Sequence, residues 1–304
     1  MTVVVSADKL SKTFGSHRGV EGLEFTVAEG EVFGFLGPNG AGKSTTIRLL
    51  TGLSHPTSGT AKVFGLDPIA DAVEVHRRIG YLPGELALHP RLTGQQHVDF
   101  AVKVRRMQDR TFLHELVDRF QVDLERPTRT LSKGNRQKIG ILLAVMHQPE
   151  LCILDEPTSG LDPLMQDEFE RLMRELVRTG STVFLSSHEL DEVQRVATHV
   201  AIIKDGHLVV TDTVEALRRR APRTIEFSFP TIVDPKPFAS IEGVQVVAAN
   251  GKRITLALQG AVAPVLRVAA ELDPLDVIAR PADLDELFLT YYRDQSASQP
   301  VDAR

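Results

Sequence analysis

The 304-residue sequence predicts an α/β fold: a mostly parallel sheet with helical connections, followed by a small C-terminal α/β domain. Three observations carry this reading. An apolar run of buried-strand length, Val32-Phe33-Gly34-Phe35-Leu36, feeds a glycine-rich loop and then a helical stretch ending at Leu50. Short apolar runs return at 151–154, 182–185 and 200–203 with a helix-length segment between each pair, the βαβ rhythm of a parallel sheet. The pattern breaks at Arg218-Arg219-Arg220-Ala221-Pro222, and a second series of strands and helices begins. At about 150 residues per domain, the length fits a first domain over 1–220 and a second over 222–304.

Taken in order, residues 1 to about 30 read as two or three short strands, with Val3-Val4-Val5 apolar and 23–27 alternating. Gly52 closes the helix after the glycine-rich loop. Over 86–148 the texture is helical. Thr93-Gly94-Gln95-Gln96 is a capping-box pattern opening a helix to about Met107, and Leu113, Leu116, Val117 and Phe120 recur at helical spacing. Ser132 opens an amphipathic run to His147, which Pro149 stops. In the second domain, strands are expected at 224–229, 244–248, 254–258 and 275–278, with helices at 262–272 and 282–292. Leu284, Leu287, Phe288 and Tyr291 form one stripe of the last helix, expected to pack on the domain's own sheet or to dock on the first domain or a second subunit. The polar residues after Arg293 are expected to fray.

Composition excludes several classes. Net charge is −5, aromatics are 6 % and Trp is absent, which argues against a nucleic-acid partner. No run of about 18 apolar residues is present, so no membrane span is expected, and the N-terminal residues lack a secretory pattern. Cys152 is the single cysteine, which rules out an intrachain disulfide and fits a reducing cytoplasm. No Cys/His set has metal-ligand spacing.

Gly37-Pro38-Asn39-Gly40-Ala41-Gly42-Lys43-Ser44 matches G-x-x-x-x-G-K-[ST], the phosphate loop known as Walker A. Glycines permit positive φ and close backbone approach, so several N–H groups can aim at phosphate oxygens. The helix beginning at Lys43 adds the positive end of its dipole. Lys43 is expected to reach the β- and γ-phosphates and Ser44 to ligate Mg²⁺; candidate nucleotide contacts run on to Thr45. The apolar run 151–154 ends in Asp155-Glu156. Asp155 is the candidate metal carboxylate, and Glu156 the candidate general base for an attacking water.

Beyond these, Leu131-Ser132-Lys133-Gly134-Asn135-Arg136-Gln137-Lys138 resembles the signature motif of ABC transporter ATPases. The segment 155–163, Asp-Glu-Pro-Thr-Ser-Gly-Leu-Asp-Pro, resembles their Walker B and D-loop, Ser186-Ser187-His188 their switch histidine, and the segment 10–15 their adenine-stacking aromatic loop, with Phe14 as the aromatic. With the phosphate loop, five motifs stand in the family's order over residues 1 to about 215. The resemblance implies a P-loop NTPase (RecA-like) cassette with a helical subdomain over about 86–148, binding ATP and Mg²⁺. It implies head-to-tail pairing of two ATPase subunits, with Ser132, Gly134 and Asn135 of one facing the nucleotide of the other. It also implies that His188 senses the γ-phosphate and keeps Glu156 and water in line.

The sequence departs from the family at Lys133 and Asn135 within the signature, and at Gly84, where the family has a metal-binding glutamine. Either Glu85 substitutes as the ligand or the metal keeps another water; if Glu85 substitutes, Gly84→Gln is expected to be neutral or activating. The variant signature and single cassette resemble drug- and antibiotic-efflux ATPases of the daunorubicin-resistance type, working with a separate transmembrane permease at the cytoplasmic face of the membrane. A non-transport ABC ATPase, an import ATPase and a binding-only adaptor are the alternatives. The adaptor is disfavoured by intact Lys43, Asp155, Glu156 and His188.

Overall fold

A long hairpin opens the chain where short strands were expected. In the computed structural model, which describes residues 2–15, 17–221 and 223–279, β1 (Val3–Phe14) pairs antiparallel with β2 (His17–Ala28). β1 outruns its apolar start because a bulge interrupts the alternation: Lys9 takes φ +47° and the pairing slips between Ala7 and Leu10. After β3 (Val32–Leu36) and α1 (Lys43–Leu50), β4 (Ser58–Val63) pairs with the other edge of β1. Gly59 is required there, since a Cβ would lie 2.1 Å from the Lys9 carbonyl oxygen.

The stretch 72–148 supplies α2 (Ala72–Arg78), β5 (Ile79–Leu82), α3 (Gly94–Arg105), α4 (Thr111–Phe120), a 3₁₀ turn at Thr128–Thr130, and α5 (Lys133–Val145). The capping box closes as its sequence predicts. Thr93 Oγ1 accepts from Gln96 N at 3.2 Å, and Gln96 Oε1 accepts from Thr93 N at 2.9 Å. Arg106, at φ +54°, ends the helix just short of Met107.

Strict alternation follows: β6 (Leu151–Asp155), α6 (Pro163–Arg178), β7 (Thr182–Ser187), α7 (Leu190–Val196) and β8 (His199–Lys204), then β9 (His207–Thr213). The six-stranded sheet has the order β5-β6-β7-β3-β8-β9, parallel except for the β8–β9 pair. Both its faces are buried, so its strands read as continuous apolar runs. Leu151 and Ile153 of β6 pack with Phe25, Phe33, Phe35 and Phe184, whose ring centroids stand 5.4–6.1 Å apart. Cys152 and Leu154 face the opposite core, built from α3, α4, α5 and α6 around Leu116, Phe120, Leu142, Phe169 and Leu172. Burial alone pushes the Cys152 thiol up to about 12, an inert strand residue.

The chain divides into two compact units, Met1–Thr213 and Val214–Arg304. Helix α8 (Val214–Arg220), placed by composition at the end of the first domain, groups with the second unit. That unit continues with β10 (Arg223–Ser228), α9 (Lys236–Ala239), β11 (Val244–Asn250), β12 (Arg253–Leu258), α10 (Ala263–Ala270) and β13 (Asp276–Ala279). Its antiparallel sheet, β11-β12-β10-β13, covers a separate core of Phe227, Phe229, Phe238, Leu256 and Val265. The stripe at Leu284, Leu287, Phe288 and Tyr291 lies outside the described residues.

Candidate functional site

The phosphate loop leaves β3 at Leu36 and enters α1 at Lys43. Its glycines answer two different demands. Gly40 (φ +80°) and Gly42 (φ +109°) take left-handed backbone, and Gly42 is the cap residue of α1. Gly37 and Gly42 are also crowded: a Cβ on Gly37 would lie 2.5 Å from the Ile203 carbonyl oxygen, and one on Gly42 would lie 2.5 Å from Val20 Cγ1. No side chain caps α1, so its first N–H groups face outward as donors for an anion. Ala41 is buried, and its N–H turns inward to Pro38 O at 3.2 Å. Pro38, Asn39 and Ser44 are exposed and Thr45 is half-buried.

Lys43 is 6 % exposed. Its Nζ donates to Gly37 O at 2.7 Å and Pro38 O at 3.2 Å, and lies 3.1 Å from Glu156 Oε1 at ion-pair distance without hydrogen-bond alignment. The ammonium is thus folded back along the loop that the phosphates would occupy.

The carboxylates come from the register of two parallel strands. Asp155 of β6 stands opposite Ser186 of β7, and its Oδ1 accepts from Ser186 Oγ at 2.5 Å. Asp155 is buried. Its charge, after burial itself, is the next cause that raises the Tyr81 hydroxyl above its ordinary range. Glu156 follows at φ +49°, with its N–H donating to Ser186 O at 3.1 Å, and its Oε2 lies 2.6 Å from His188 Nδ1. Lys43, Glu156 and His188 therefore form one chain of contacts beside Asp155.

Gly84 sits against this group: a Cβ there would lie 3.0 Å from Asp155 Oδ2. A side chain at this position would crowd that oxygen. Ser44 and Asp155 offer a hydroxyl and a carboxylate, the hard oxygen donors that suit Mg²⁺. Glu85 is exposed one residue further on. Among the described residues, no three His, Cys, Asp or Glu side chains gather closely enough to hold a metal by themselves.

Ser132 caps α5, its Oγ accepting from Asn135 N at 3.1 Å. Gly134 is pressed against the next loop, where a Cβ would lie 2.6 Å from Gly160 O, and Lys133 Nζ donates to Ser159 Oγ at 2.8 Å. Asn135 is engaged on both ends of its amide: Oδ1 accepts from Asp123 N at 3.0 Å and Nδ2 donates to Asp123 O at 2.9 Å. Gln137 has a role that its place in the motif does not reveal. Its Nε2 donates to Pro157 O at 2.8 Å and Glu156 O at 3.3 Å, tying α5 to the turn that carries Glu156. Among the described residues no hydrogen bond joins Ser132, Gly134 or Asn135 to the phosphate loop. Phe14 stands 48 % exposed at the end of β1, with Lys12 Nζ 5.2 Å from its ring centroid.

A cavity of about 1110 Å³ lies away from this chemistry, lined by residues of α2, α3 and the segment just after α5, including Val73, Arg77, Val104, Arg105 and His147. No helix among the described residues is long and apolar enough to cross a membrane.

The family described as ABC transporter matches residues 20–159. The bacitracin transport ATP-binding protein BcrA of Bacillus licheniformis is 37 % identical over 232 residues, covering 75 % of this chain and 75 % of the relative. The daunorubicin/doxorubicin resistance ATP-binding protein DrrA of Streptomyces peucetius is 36 % identical over 225 residues, covering 71 % and 67 %. Among solved structures, an ATP-binding subunit of an ABC transporter superposes with a TM-score of 0.67 at 29 % identity, covering 71 % of this chain and 92 % of that one. The dimeric cassette MJ0796, at 20 % identity and a TM-score of 0.63, shares the fold over 69 % of this chain and 98 % of its own. Phosphate loop, acidic strand end and relatives agree, and the chain belongs to the ABC transporter family as one of its ATP-binding, ATP-hydrolysing subunits.

Proposed function

We propose that this ATPase powers an export complex whose membrane-spanning permease is a separate chain, and that the complex expels drugs or antibiotics. The observation that carries the hydrolytic part is the contact chain Lys43–Glu156–His188 beside Asp155, at the mouth of the phosphate loop. The export part is supported by relatives named for bacitracin transport and for daunorubicin/doxorubicin resistance.

In this reading, the backbone N–H groups of Asn39, Gly40 and Gly42 and of the start of α1 cradle the phosphates, and Lys43 exchanges Glu156 for a phosphate oxygen. Ser44 and Asp155 hold Mg²⁺, with Glu85 as a further ligand in place of the missing glutamine; the ion, when bound, neutralises phosphate charge. Glu156 takes a proton from the attacking water, and His188 keeps that carboxylate aligned. Phe14 stacks on the base, which supplies affinity without edge recognition, so GTP competes with ATP. Two subunits pair head to tail, with Ser132 Oγ and the Gly134 N–H of one over the γ-phosphate of the other; Asn135 braces that turn. Exposed Val73, Phe100 and Val104, beside the cavity flanked by Arg77, Arg105 and Arg106, form the face for the permease. That docking holds the subunit peripherally at the cytoplasmic side of the membrane. No nucleic-acid partner is part of this reading.

The test is to co-express the chain with any membrane protein found encoded beside it, look for co-purification, and then measure ATP-driven drug extrusion in vesicles. Extrusion and permease-stimulated hydrolysis, both abolished by Glu156→Gln, are expected. Hydrolysis that no membrane chain stimulates would leave the ATPase standing and remove export.

A further inference from the structure

Two loops flank the place where water would attack: the turn after β6, bearing Glu156 and Thr158, and the end of β7, bearing Ser187 and His188. Backbone bonding holds them together as far as the Glu156 N–H on Ser186 O, and Glu156 Oε2 meets His188 Nδ1 across the gap. Beyond that, a side chain of α7 bridges them. Glu192 is buried, its Oε1 accepting from Thr158 Oγ1 at 2.6 Å and its Oε2 from Ser187 Oγ at 2.5 Å. Ser187 Oγ in turn accepts from Glu189 N at 3.0 Å, so both neighbours of His188 belong to the same clip.

Fold stability does not account for a carboxyl here. Burial raises its pKa, the two hydroxyl donors pull it back, and the nearby charges of Glu156 and Glu189 raise it further. Arg195, lining the adjoining groove, is engaged by Glu170 at 3.2 Å. A buried carboxyl whose bonds are two neutral hydroxyls is costly as glue. Its rigid two-oxygen span instead sets a fixed distance between the loops.

We propose that Glu192 is a positioning residue for ATP hydrolysis: by holding Thr158 and Ser187 it fixes the spacing of Glu156 and His188. It contacts neither the phosphate loop nor Lys43 among its recorded bonds, so it acts on turnover and leaves nucleotide affinity alone. The inference rests on Glu156 being the base.

The experiment uses the full-length chain and compares Glu192→Ala, Glu192→Gln, Thr158→Val and Ser187→Ala for kcat, KM, affinity for a fluorescent ATP analogue, and Tm. Glu192→Ala is expected to lower kcat at least about tenfold, since misplacement by about 1 Å costs up to 10²-fold. Analogue affinity should stay within about twofold of wild type by the same argument. Glu192→Gln, which spans the same two hydroxyls, should recover most of the rate, and the two milder variants should fall between. Unchanged kcat in Glu192→Ala, or a loss matched by weaker affinity, or failure of Gln to rescue, overturns the proposal. Glu156→Gln is run alongside: full turnover in that variant would sink the reading of the base itself, separately from Glu192.

Discussion

Lys43 and Glu156 neutralise one another across 3.1 Å, so a phosphate that reaches Lys43 competes with an internal anion. Glu156→Gln removes that competitor and the proton acceptor together. Turnover should fall by roughly 10²–10⁴-fold, the usual worth of a general base. Affinity for ATP should rise, not fall, a sign that equilibrium binding beside turnover will check. Lys43→Ala should weaken binding without any such gain. Gly84→Gln, expected from the sequence to be neutral or activating, would bring a Cβ to 3.0 Å from Asp155 Oδ2 while Ser186 holds the other oxygen, and this crowding argues for the opposite sign. Both Gly84→Ala and Gly84→Gln should demand more Mg²⁺ for half-maximal turnover; a Mg²⁺ titration of the two variants checks this. Glu85→Ala tests the separate proposal that Glu85 completes the metal shell, with reduced hydrolysis as the expected outcome.

Among the elements, α5 shows what was legible and what was not. Its start at Ser132 and the capping box at Thr93 could be read because caps are local: the bonding partners lie three residues apart. The phosphate loop and the Asp155-Glu156 pair were legible for the same reason, each being contiguous. β5 was missed because Gly80 interrupts its run, and only the structure shows why: a Cβ there would lie 1.9 Å from Ala144 O of α5. The anchoring roles of Gln137, Ser186 and Glu192 were not legible because their partners are set by strand register and helix packing. Asn135 resembles a signature residue, yet its amide is bonded to Asp123. Asn135→Ala should cost about 1–3 kcal/mol for two lost bonds, a drop in Tm of several degrees, with ATP affinity unchanged. At the other end of α5, His147 is held at a pKa of about 4 by burial first and by Arg105 second. The folded protein therefore binds fewer protons than the unfolded chain between about pH 6.5 and 4, and its stability falls as pH drops through that window, by at most about 3 kcal/mol. His147→Gln should flatten this slope in Tm measured from pH 7 to pH 5.

For the molecule as a whole, every proposed nucleotide ligand lies within the first unit. A chain truncated after Arg220 should bind ATP as tightly as the full-length protein, read by the same fluorescent analogue. We expect weaker ATP-induced pairing of the truncated Glu156→Gln form by light scattering; pairing as strong as full length would confine the second domain to a self-contained role. The strand order carries one more consequence. β3, which launches the phosphate loop, is made early but lies between β7 and β8. On the ribosome, the strand 32–36 must wait until residues 182–204 have been added before it has strand partners. At about 5–20 residues per second the interval is roughly 7–30 s. Through that time the nascent chain carries an unpaired Val-Phe-Gly-Phe-Leu strand, the species that chaperones bind and that aggregates when they are scarce. Translation speed between codons 44 and 187 is thus a variable of the yield of this ATPase.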